Sequence, residues 1–209
     1  MQKYSVFSLI KNAFSNHQNW EVAWKDPTPK SEYDVVIIGG GGHGLATAYY
    51  LAKEHNIRNV AIIEKGWIGG GNVGRNTTII RSNFMYDANA RFNEFGMDLW
   101  RNLSQELNFN VMFSPRGIIN LAHSDAQMNA YARRGNSMRL NGIDAKLLDR
   151  DEVKKLIPMA DFSDEVRFPI FGGLMQPSAG TARHDAVAWG YARQADDMGV
   201  DIIQHCEVT

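Results

Sequence analysis

The sequence lacks the features that would place it outside a reducing, aqueous compartment. Cys206 is its only cysteine among 209 residues, which excludes an internal disulfide framework. No apolar run approaches the roughly 20 residues that span a bilayer. Lysine and arginine number 22 against 23 aspartates and glutamates, so there is no basic surplus to attract nucleic acid or anionic lipid. These absences predict a cytoplasmic protein with no nucleic-acid partner and no membrane partner.

The six histidines give no indication of a metal. No two of them stand at metal-ligand spacing with a carboxylate, so no metal site is predicted. His17, His55 and His205 are expected to be ordinary surface side chains. Residues 1–17 carry apolar side chains at helical spacing but lack the arginines or the long apolar core of a targeting peptide. We expect a surface helix there that packs on the body of the protein or on a partner.

One clear βαβ unit stands out in what the sequence does contain. Residues 34–39 read DVVIIG, a continuous β-branched run typical of a buried parallel strand. Residues 42–55 place apolar side chains on one helical face, and residues 59–65, NVAIIEK, form a second strand of the same kind. Strand, glycine turn, helix and strand within about 30 residues build a parallel sheet. The predicted fold class is therefore α/β, with a Rossmann-type parallel sheet.

Four consecutive glycines fill the turn between the first strand and the helix. Gly39, Gly41 and Gly44 match G-x-G-x-x-G, in which the first glycine permits the turn, the second admits a pyrophosphate and the third lets helix and strand pack closely. The pyrophosphate would lie on the N–H groups at the positive end of the helix. Glu64 comes 20 residues after Gly44, where a carboxylate accepts hydrogen bonds from a ribose. The spacing predicts a dinucleotide site.

The next segment distinguishes FAD from a nicotinamide cofactor. Residues 64–83 form a second glycine-rich loop with amide, guanidinium and hydroxyl donors, where a nicotinamide enzyme usually enters an ordinary helix. These residues indicate a loop that binds the long FAD molecule rather than a solvated surface loop. The residues predicted to bind FAD are Gly39, Gly41, Gly42, His43, Gly44, Glu64, Lys65, Asn72, Arg75, Asn76, Thr77, Thr78, Ile79 and Val208.

The same residues resemble a known family. The chain resembles the β subunits of heterotetrameric sarcosine oxidases. The resemblance is carried by residues 35–83, by SPRGIINLAHS, by LNGIDAKLLDRDEVKKLIP and by the stretch from QPSAGTARHDAV to the last residue. These subunits are FAD-dependent amine oxidoreductases related to D-amino-acid oxidase. The resemblance covers about residues 18–209. Since the family subunits continue well beyond this length, it implies the N-terminal part of a longer protein, truncated before the C-terminal half. A sheet cut there would have an unpaired, aggregation-prone edge.

The remainder of the chain is predicted to interrupt the FAD domain with a mixed-sheet, substrate-side insertion. Its first helix, 88–108, is expected to place five side chains in a core, namely Phe92, Phe95, Leu99, Leu103 and Leu107. Residues 111–124 are expected to form a pair of strands, and 185–200 a helix before the final strand. The predicted divisions are an extension over 1–30, the FAD unit over 31–84, the insertion over 85–180 and a return to the FAD domain over 181–209.

The resemblance gives His184 a role that spacing alone does not. By spacing, His184 is an ordinary residue at a helix start that makes a local hydrogen bond. In the family, the matching histidine carries a covalently attached FMN, bonded through a ring nitrogen to the 8α-methyl carbon of the flavin. Imidazole is largely neutral and nucleophilic at pH 7, as that chemistry requires. Arg183 beside it would stabilise the negative flavin formed in that step.

The resemblance also implies a reaction. Non-covalent FAD takes a hydride equivalent from the N-methyl carbon of sarcosine, electrons pass to the covalent FMN, and oxygen is reduced there to hydrogen peroxide. The one-carbon unit goes to tetrahydrofolate on the α subunit, and γ and δ subunits complete the heterotetramer. Arg75, Arg81 and Arg116 are candidates to hold the substrate carboxylate. Two alternatives stay open: a single-flavin oxidase or dehydrogenase of another N-methyl amine or amino acid, and a non-catalytic FAD-binding fragment.

Overall fold

The computed structural model describes residues 5–18 and 22–209, which divide into two compact units. The first unit contains the described residues up to Thr78, with Leu103–Met112 and Arg183–Thr209. The second contains Ile79–Asn102 and Phe113–Ala182. The chain thus enters each unit more than once.

Helices and strands alternate along much of the described chain. The helices are Val6–Phe14 (α1), Gly42–His55 (α2), Asp87–Glu106 (α3), Asp125–Leu140 (α4), Arg150–Leu156 (α5) and His184–Asp197 (α6). The strands are Val35–Ile38 (β1), Val60–Ile63 (β2), Ile79–Ile80 (β3), Ile118–Ala122 (β4), Lys146–Asp149 (β5), Gly172–Gln176 (β6), Gly180–Thr181 (β7) and Asp201–Ile203 (β8). None of the helices described combines the length and apolar character needed to cross a membrane.

The first unit is built on a parallel sheet in the order β1-β2-β8. Val35 pairs with Val60, and Ala61 pairs with Asp201. Helices α2 and α6 pack against each other, and the ring centroids of Tyr49 in α2 and Tyr191 in α6 lie 5.4 Å apart. The α/β class with a parallel sheet is confirmed, and α2 has the predicted bounds of 42–55.

The two strands of the βαβ unit differ in burial, which corrects one prediction. All of Val60–Ile62 in β2 is buried, as expected. In β1, however, Val36 is 50% exposed and Ile38 is 71% exposed. Val36 and Ile38 share one face of β1, which the described residues leave uncovered, whereas Val35 and Ile37 on the opposite face are half-buried. A β-branched run does not show whether one or both faces of a strand are covered, and the prediction that 34–39 is buried was wrong for this reason.

The second unit is an antiparallel sheet in the order β4-β6-β5, and helices α4 and α5 pack on it. Its core includes Met138 of α4 and Leu174 of β6, both fully buried. Residues 111–124 contain only β4 and an isolated bridge from Ser114 to Thr181, not the predicted pair of strands. Pro115 and the positive φ of +86° at Gly117 interrupt the extended backbone between the bridge and β4.

Helix α3 shows why the predicted aromatic core was wrong in part. Leu103 and Leu107 are buried, but Phe92 is 77% exposed and Phe95 is 66% exposed. The buried line of the helix instead starts at Ala90 and passes through Met97, seven residues later. Phe92, Phe95 and Leu99 therefore form a second apolar line along α3, on a face that the described residues do not cover fully.

The predicted N-terminal helix is present as α1. Ser5 caps it by accepting a hydrogen bond from Ser8 N–H at 3.1 Å. None of its residues is buried, and the apolar side chains at its predicted helical face, such as Phe7 and Phe14, are exposed. Packing on the body of the protein is therefore not seen for α1, and packing on a partner stays a prediction.

A glycine in the second unit provides a test of the fold. A Cβ at Gly180 would lie 2.1 Å from the carbonyl oxygen of Ser114, which is backbone and cannot turn away. We expect Gly180→Ala to lower the free energy of unfolding by about 3 kcal/mol, the upper range for overpacking. Gly96→Ala is the control, because a Cβ on Gly96 in α3 meets nothing within 4 Å. It should raise stability by about 0.5–1 kcal/mol. Equal urea midpoints for the two variants would contradict the packing described.

Candidate functional site

The turn between β1 and α2 gives each motif glycine a different task. Gly39 has a φ of +106°, which side-chain-bearing residues rarely adopt. A Cβ at Gly44 would lie 2.1 Å from the carbonyl oxygen of Gly39, so helix and strand approach closely only with glycine there. A Cβ at Gly41 would meet nothing nearer than Val73 Cγ2 at 3.9 Å. Gly41 therefore borders open space, in contrast to Gly44.

The first turn of α2 presents unpaired backbone donors to that space. The first hydrogen bond within the helix is donated by Leu45 N–H to Gly41 O, at 3.0 Å. The N–H groups of Gly42, His43 and Gly44 precede it and have no acceptor inside the helix. Gly41 contributes no side-chain cap, and no acidic residue lies in the first turn. The positive end of the helix is thus available to an anion such as a phosphate.

The carboxylate of Glu64 lies at the end of β2, beside the glycine turn. Its Oε2 accepts a hydrogen bond from Gly40 N–H at 2.7 Å, and its Oε1 accepts one from Gly66 N–H at 2.8 Å. Each oxygen has a second lone pair for a ligand hydroxyl. A Cβ at Gly40 would lie only 3.1 Å from Glu64 Cβ, so Gly40 also keeps this carboxylate close to the turn.

The second glycine-rich loop is bound both to the first turn and to the segment after β8. Gly69 N–H donates to Gly40 O at 3.0 Å, and Ile68 N–H donates to Gln204 Oε1 at 2.9 Å. Cys206 N–H donates to Glu64 O at 3.0 Å, so the segment after β8 also lies against the site. Val208, two residues further, is 50% exposed. Three separate segments of the chain therefore meet around Glu64.

The predicted residues of the second loop have distinct positions. A 3-10 helix spans Asn72–Arg75, and its ends are exposed. Asn76 uses its side chain inside the loop, since it donates to Val73 O at 2.9 Å and accepts from Thr78 N–H at 2.7 Å. Lys65 and Thr77 are exposed. Ile79 begins β3 and belongs to the second unit.

Three residues that the sequence prediction missed shape this site. Gly40 approaches Glu64, and Val73 lies next to the positions where Gly41 and Gly42 would carry a Cβ. Gln204 holds the second loop through its side chain. The run of four glycines could have indicated Gly40. It was missed because Gly40 stands at a variable position of the G-x-G-x-x-G motif. Nothing in the sequence indicates Gln204, whose contact depends on the return of the chain to the sheet.

His184 is the first residue of α6, in the first unit. Its Nδ1 atom is buried and has no hydrogen-bond partner in the part of the chain that the structure describes. The local hydrogen bond expected from spacing alone is therefore not made by this atom. Arg183 donates from Nε to Asp185 Oδ1 at 2.9 Å and forms a second bond from Nη2. This guanidinium holds the pKa of the Asp185 carboxyl below its usual range. Asp185 thus compensates much of the positive charge on Arg183.

The second unit contains a cavity of about 320 Å³ with mainly apolar walls. Arg81 is one of the lining residues, whereas the other two candidate arginines, Arg75 and Arg116, are exposed and do not line it. The second apolar line of α3, formed by Phe92, Phe95 and Leu99, contributes to the apolar walls of this cavity. The lining residues are Ile79, Ile80, Arg81, Phe92, Asn93, Phe95, Gly96, Leu99 and Trp100.

Comparisons with known proteins agree with this geometry. The profile of the family described as "DAO: FAD dependent oxidoreductase" matches residues 34–209. The "Sarcosine oxidase subunit beta" of Rhizobium meliloti (strain 1021) is 62% identical over 207 residues, which are 99% of this chain and 50% of that protein. The protein of the same name from Arthrobacter sp is 53% identical over 189 residues, 90% of this chain and 47% of that protein.

Among solved structures, the L-proline dehydrogenase from P. horikoshii is similar, with a TM-score of 0.78 and 28% sequence identity. The match covers 87% of this chain and 46% of that one. The chain spans about half the length of the curated relatives it matches.

The double contact of Glu64 leads to a prediction for the protein without ligand. Glu64→Gln keeps the shape but replaces one acceptor oxygen with an NH₂ group, which would face a backbone N–H. We expect the free energy of unfolding to fall by about 1.5–3 kcal/mol, the cost of a lost hydrogen bond to a charged group. Glu165→Gln is the control, because Glu165 is exposed, and it should change stability by less than about 0.5 kcal/mol. Equal urea midpoints for the two variants would show that Glu64 does not hold the turn.

Proposed function

The chain belongs to the family of FAD-dependent oxidoreductases, and from that premise we propose that it forms the FAD-binding part of a sarcosine oxidase β subunit. The observation that carries the proposal is the open space over Gly41 at the start of α2, with the Glu64 carboxylate beside it. The identity of 62% to a relative named as such a subunit supports the choice within the family.

The residues of the turn fit FAD. The pyrophosphate would accept hydrogen bonds from the N–H groups of Gly42, His43 and Gly44, and Glu64 would accept bonds from ribose hydroxyls. The second loop would offer further donors to the extended cofactor, and its members Lys65, Asn72, Arg75, Asn76, Thr77 and Thr78, with Val208, complete the proposed contacts on the first unit. Bound FAD supplies the hydride-accepting chemistry, and the protein supplies position and electrostatics.

The proposed substrate is sarcosine, a small amino acid with an N-methyl group. Its carboxylate needs a cation, and a guanidinium can hold it with two parallel hydrogen bonds. Arg81 is the candidate that the geometry favours, because it lines the cavity of the second unit while Arg75 and Arg116 do not. The apolar walls beside Arg81 would accept the N-methyl group and exclude water from it.

We propose His184 as the attachment point of a covalent FMN. Its Nδ1 is buried without a hydrogen-bond partner among the described residues, which is uncommon in a folded protein and typical of functional sites. The flavin would bond to a ring nitrogen of this side chain. The FMN would supply the reduction of oxygen to hydrogen peroxide. Arg183 would contribute less charge to this step than its position suggests, because Asp185 is paired with it.

The whole protein would act in an assembly. The relatives are named as subunits, which supports a multi-subunit enzyme. The proposed partners are α, γ and δ subunits, and the proposed location is the cytoplasm. The one-carbon unit from sarcosine would pass to tetrahydrofolate on the α subunit.

The second candidate function is that of a single-flavin dehydrogenase of another amino acid, which the likeness to an L-proline dehydrogenase favours. Covalent flavin at His184 distinguishes the two candidates, because only the first requires it.

The glycine turn gives the test of FAD binding. Gly41→Val would place a branched side chain in the space that a pyrophosphate must approach, and we expect the purified protein to lose its FAD. The fold should persist, since a Cβ at Gly41 lies 3.9 Å from its nearest neighbour. Gly96→Val serves as the control, because its Cβ also enters open space but in the second unit. It should retain FAD, measured from the flavin absorbance per protein. Full FAD content in Gly41→Val would refute the proposed site.

His184 gives the test of the covalent link. After acid denaturation of the full-length protein, we expect FAD in the supernatant and FMN on the tryptic peptide HDAVAWGYAR, residues 184–193. His184→Ala should lose the bound FMN, retain FAD and lose most oxygen reduction, while sarcosine still reduces the FAD in part. His55→Ala, an exposed histidine at the end of α2, should retain both flavins. An unmodified His184 peptide in active enzyme, found by mass spectrometry, would rule out the proposal.

A further inference from the structure

Arg81 is held by neutral groups only. Its Nη1 donates a hydrogen bond to Asn83 Oδ1 at 2.6 Å, and its guanidinium lies 5.3 Å from the ring centroid of Phe84. Neither contact carries a negative charge, and Arg81 makes no ion pair within residues 5–18 and 22–209. Its positive charge is therefore uncompensated by the described chain, and several of its five N–H donors stay available to a ligand.

Other arginines of the chain show the opposite arrangement. Arg101 pairs with Asp98 and Glu94, and Arg150 pairs with Asp164 at 2.9 Å. Each of these guanidinium groups lies at the surface, beside a carboxylate that compensates its charge. Arg81 lines a cavity instead, and an amide takes the place of the carboxylate.

The amide of Asn83 is fixed in its orientation. Asn83 is 1% exposed, and its Nδ2 donates to Asn120 Oδ1 at 2.7 Å. Because Asn120 accepts from Nδ2, the oxygen of Asn83 is the atom that faces Arg81. The neighbouring Ser82 is fully buried, with its N–H donating to Gln176 Oε1 at 3.0 Å and its Oγ donating to Glu94 Oε2 at 2.6 Å. The segment that presents the amide is thus anchored on both its main chain and its side chains.

We propose that Asn83 is a positioning residue for Arg81. Asn120 holds Asn83, and Asn83 in turn directs the Arg81 guanidinium at the cavity without neutralising its charge. The cavity is thereby selective for small carboxylates. This inference rests on the proposed function, in which Arg81 receives the substrate carboxylate. An oxygen at this point orients the guanidinium, but a charged oxygen would compete with the ligand. The neutrality of the amide is therefore the property that matters, and it is open to experiment.

The test is Asn83→Asp in the flavin-loaded, full-length protein. The substitution keeps size and the acceptor toward Arg81, and Asn120 can turn its amide to donate to the new carboxylate. An internal ion pair would then occupy Arg81. We expect the affinity for acetate, followed by ligand-observed NMR, to fall at least about tenfold, with KM for sarcosine rising in parallel and kcat little changed. The affinity for acetamide, the neutral isostere, and the melting temperature should not fall. Unchanged acetate affinity would overturn the inference.

Two further variants separate the possible failures. Asn129→Asp adds the same charge on the exposed face of α4 and should leave acetate affinity unchanged. If it weakened acetate equally, general electrostatics would explain the result and the inference would fall. Arg81→Met tests the proposed carboxylate site itself. If Arg81→Met loses acetate while Asn83→Asp retains it, only the role of Asn83 is refuted. If Arg81→Met retains acetate, both the proposed carboxylate site and the inference are wrong.

Discussion

The hydrogen bonds of the Glu64 carboxylate hold the architecture of the first unit around its glycine turn. One oxygen binds the backbone of Gly40 and the other binds that of Gly66, while the carbonyl of the same residue accepts from Cys206 N–H. One residue at the end of β2 therefore fixes the loop that follows it and two segments that are distant in sequence, the glycine turn and the segment after β8. A carboxylate can do this because it accepts several bonds at once and because backbone N–H groups at the turns would otherwise lack partners.

The sequence predicted best where a single physical requirement determines the residue. The bounds of α2 follow from glycines that only a tight strand-to-helix turn requires, and the apolar spacing after them repeats with the helical period. It predicted poorly where burial depends on distant partners. Phe92 and Ile38 have the apolar character of core residues, yet both are largely exposed. The contact of Gln204 with the second loop arises only when β8 returns to the sheet, so no local pattern could indicate it.

Charge compensation explains which candidate residues the geometry favours. Arg183 and Arg81 are both arginines beside predicted sites, and their sequence contexts give no reason to rank them. Arg183 lies at the start of a helix next to Asp185, whose carboxylate is free to bind it, and the pair lowers the pKa of that carboxyl. Arg81 meets only an amide and a ring. An arginine without a carboxylate is the one that retains its full charge for a ligand.

Three groups with unused hydrogen-bonding or charge capacity lie at the proposed sites. The first-turn N–H groups of α2 suit a phosphate, the guanidinium of Arg81 suits a carboxylate, and the buried Nδ1 of His184 lies in a ring that would carry a flavin. Folded proteins pair nearly all buried polar groups, because an unpaired one costs about 1–3 kcal/mol. Retaining such a group, as at Nδ1 of His184, weakens the isolated fold. Such a cost is expected at binding and catalytic sites, where local rules of stability fail most often.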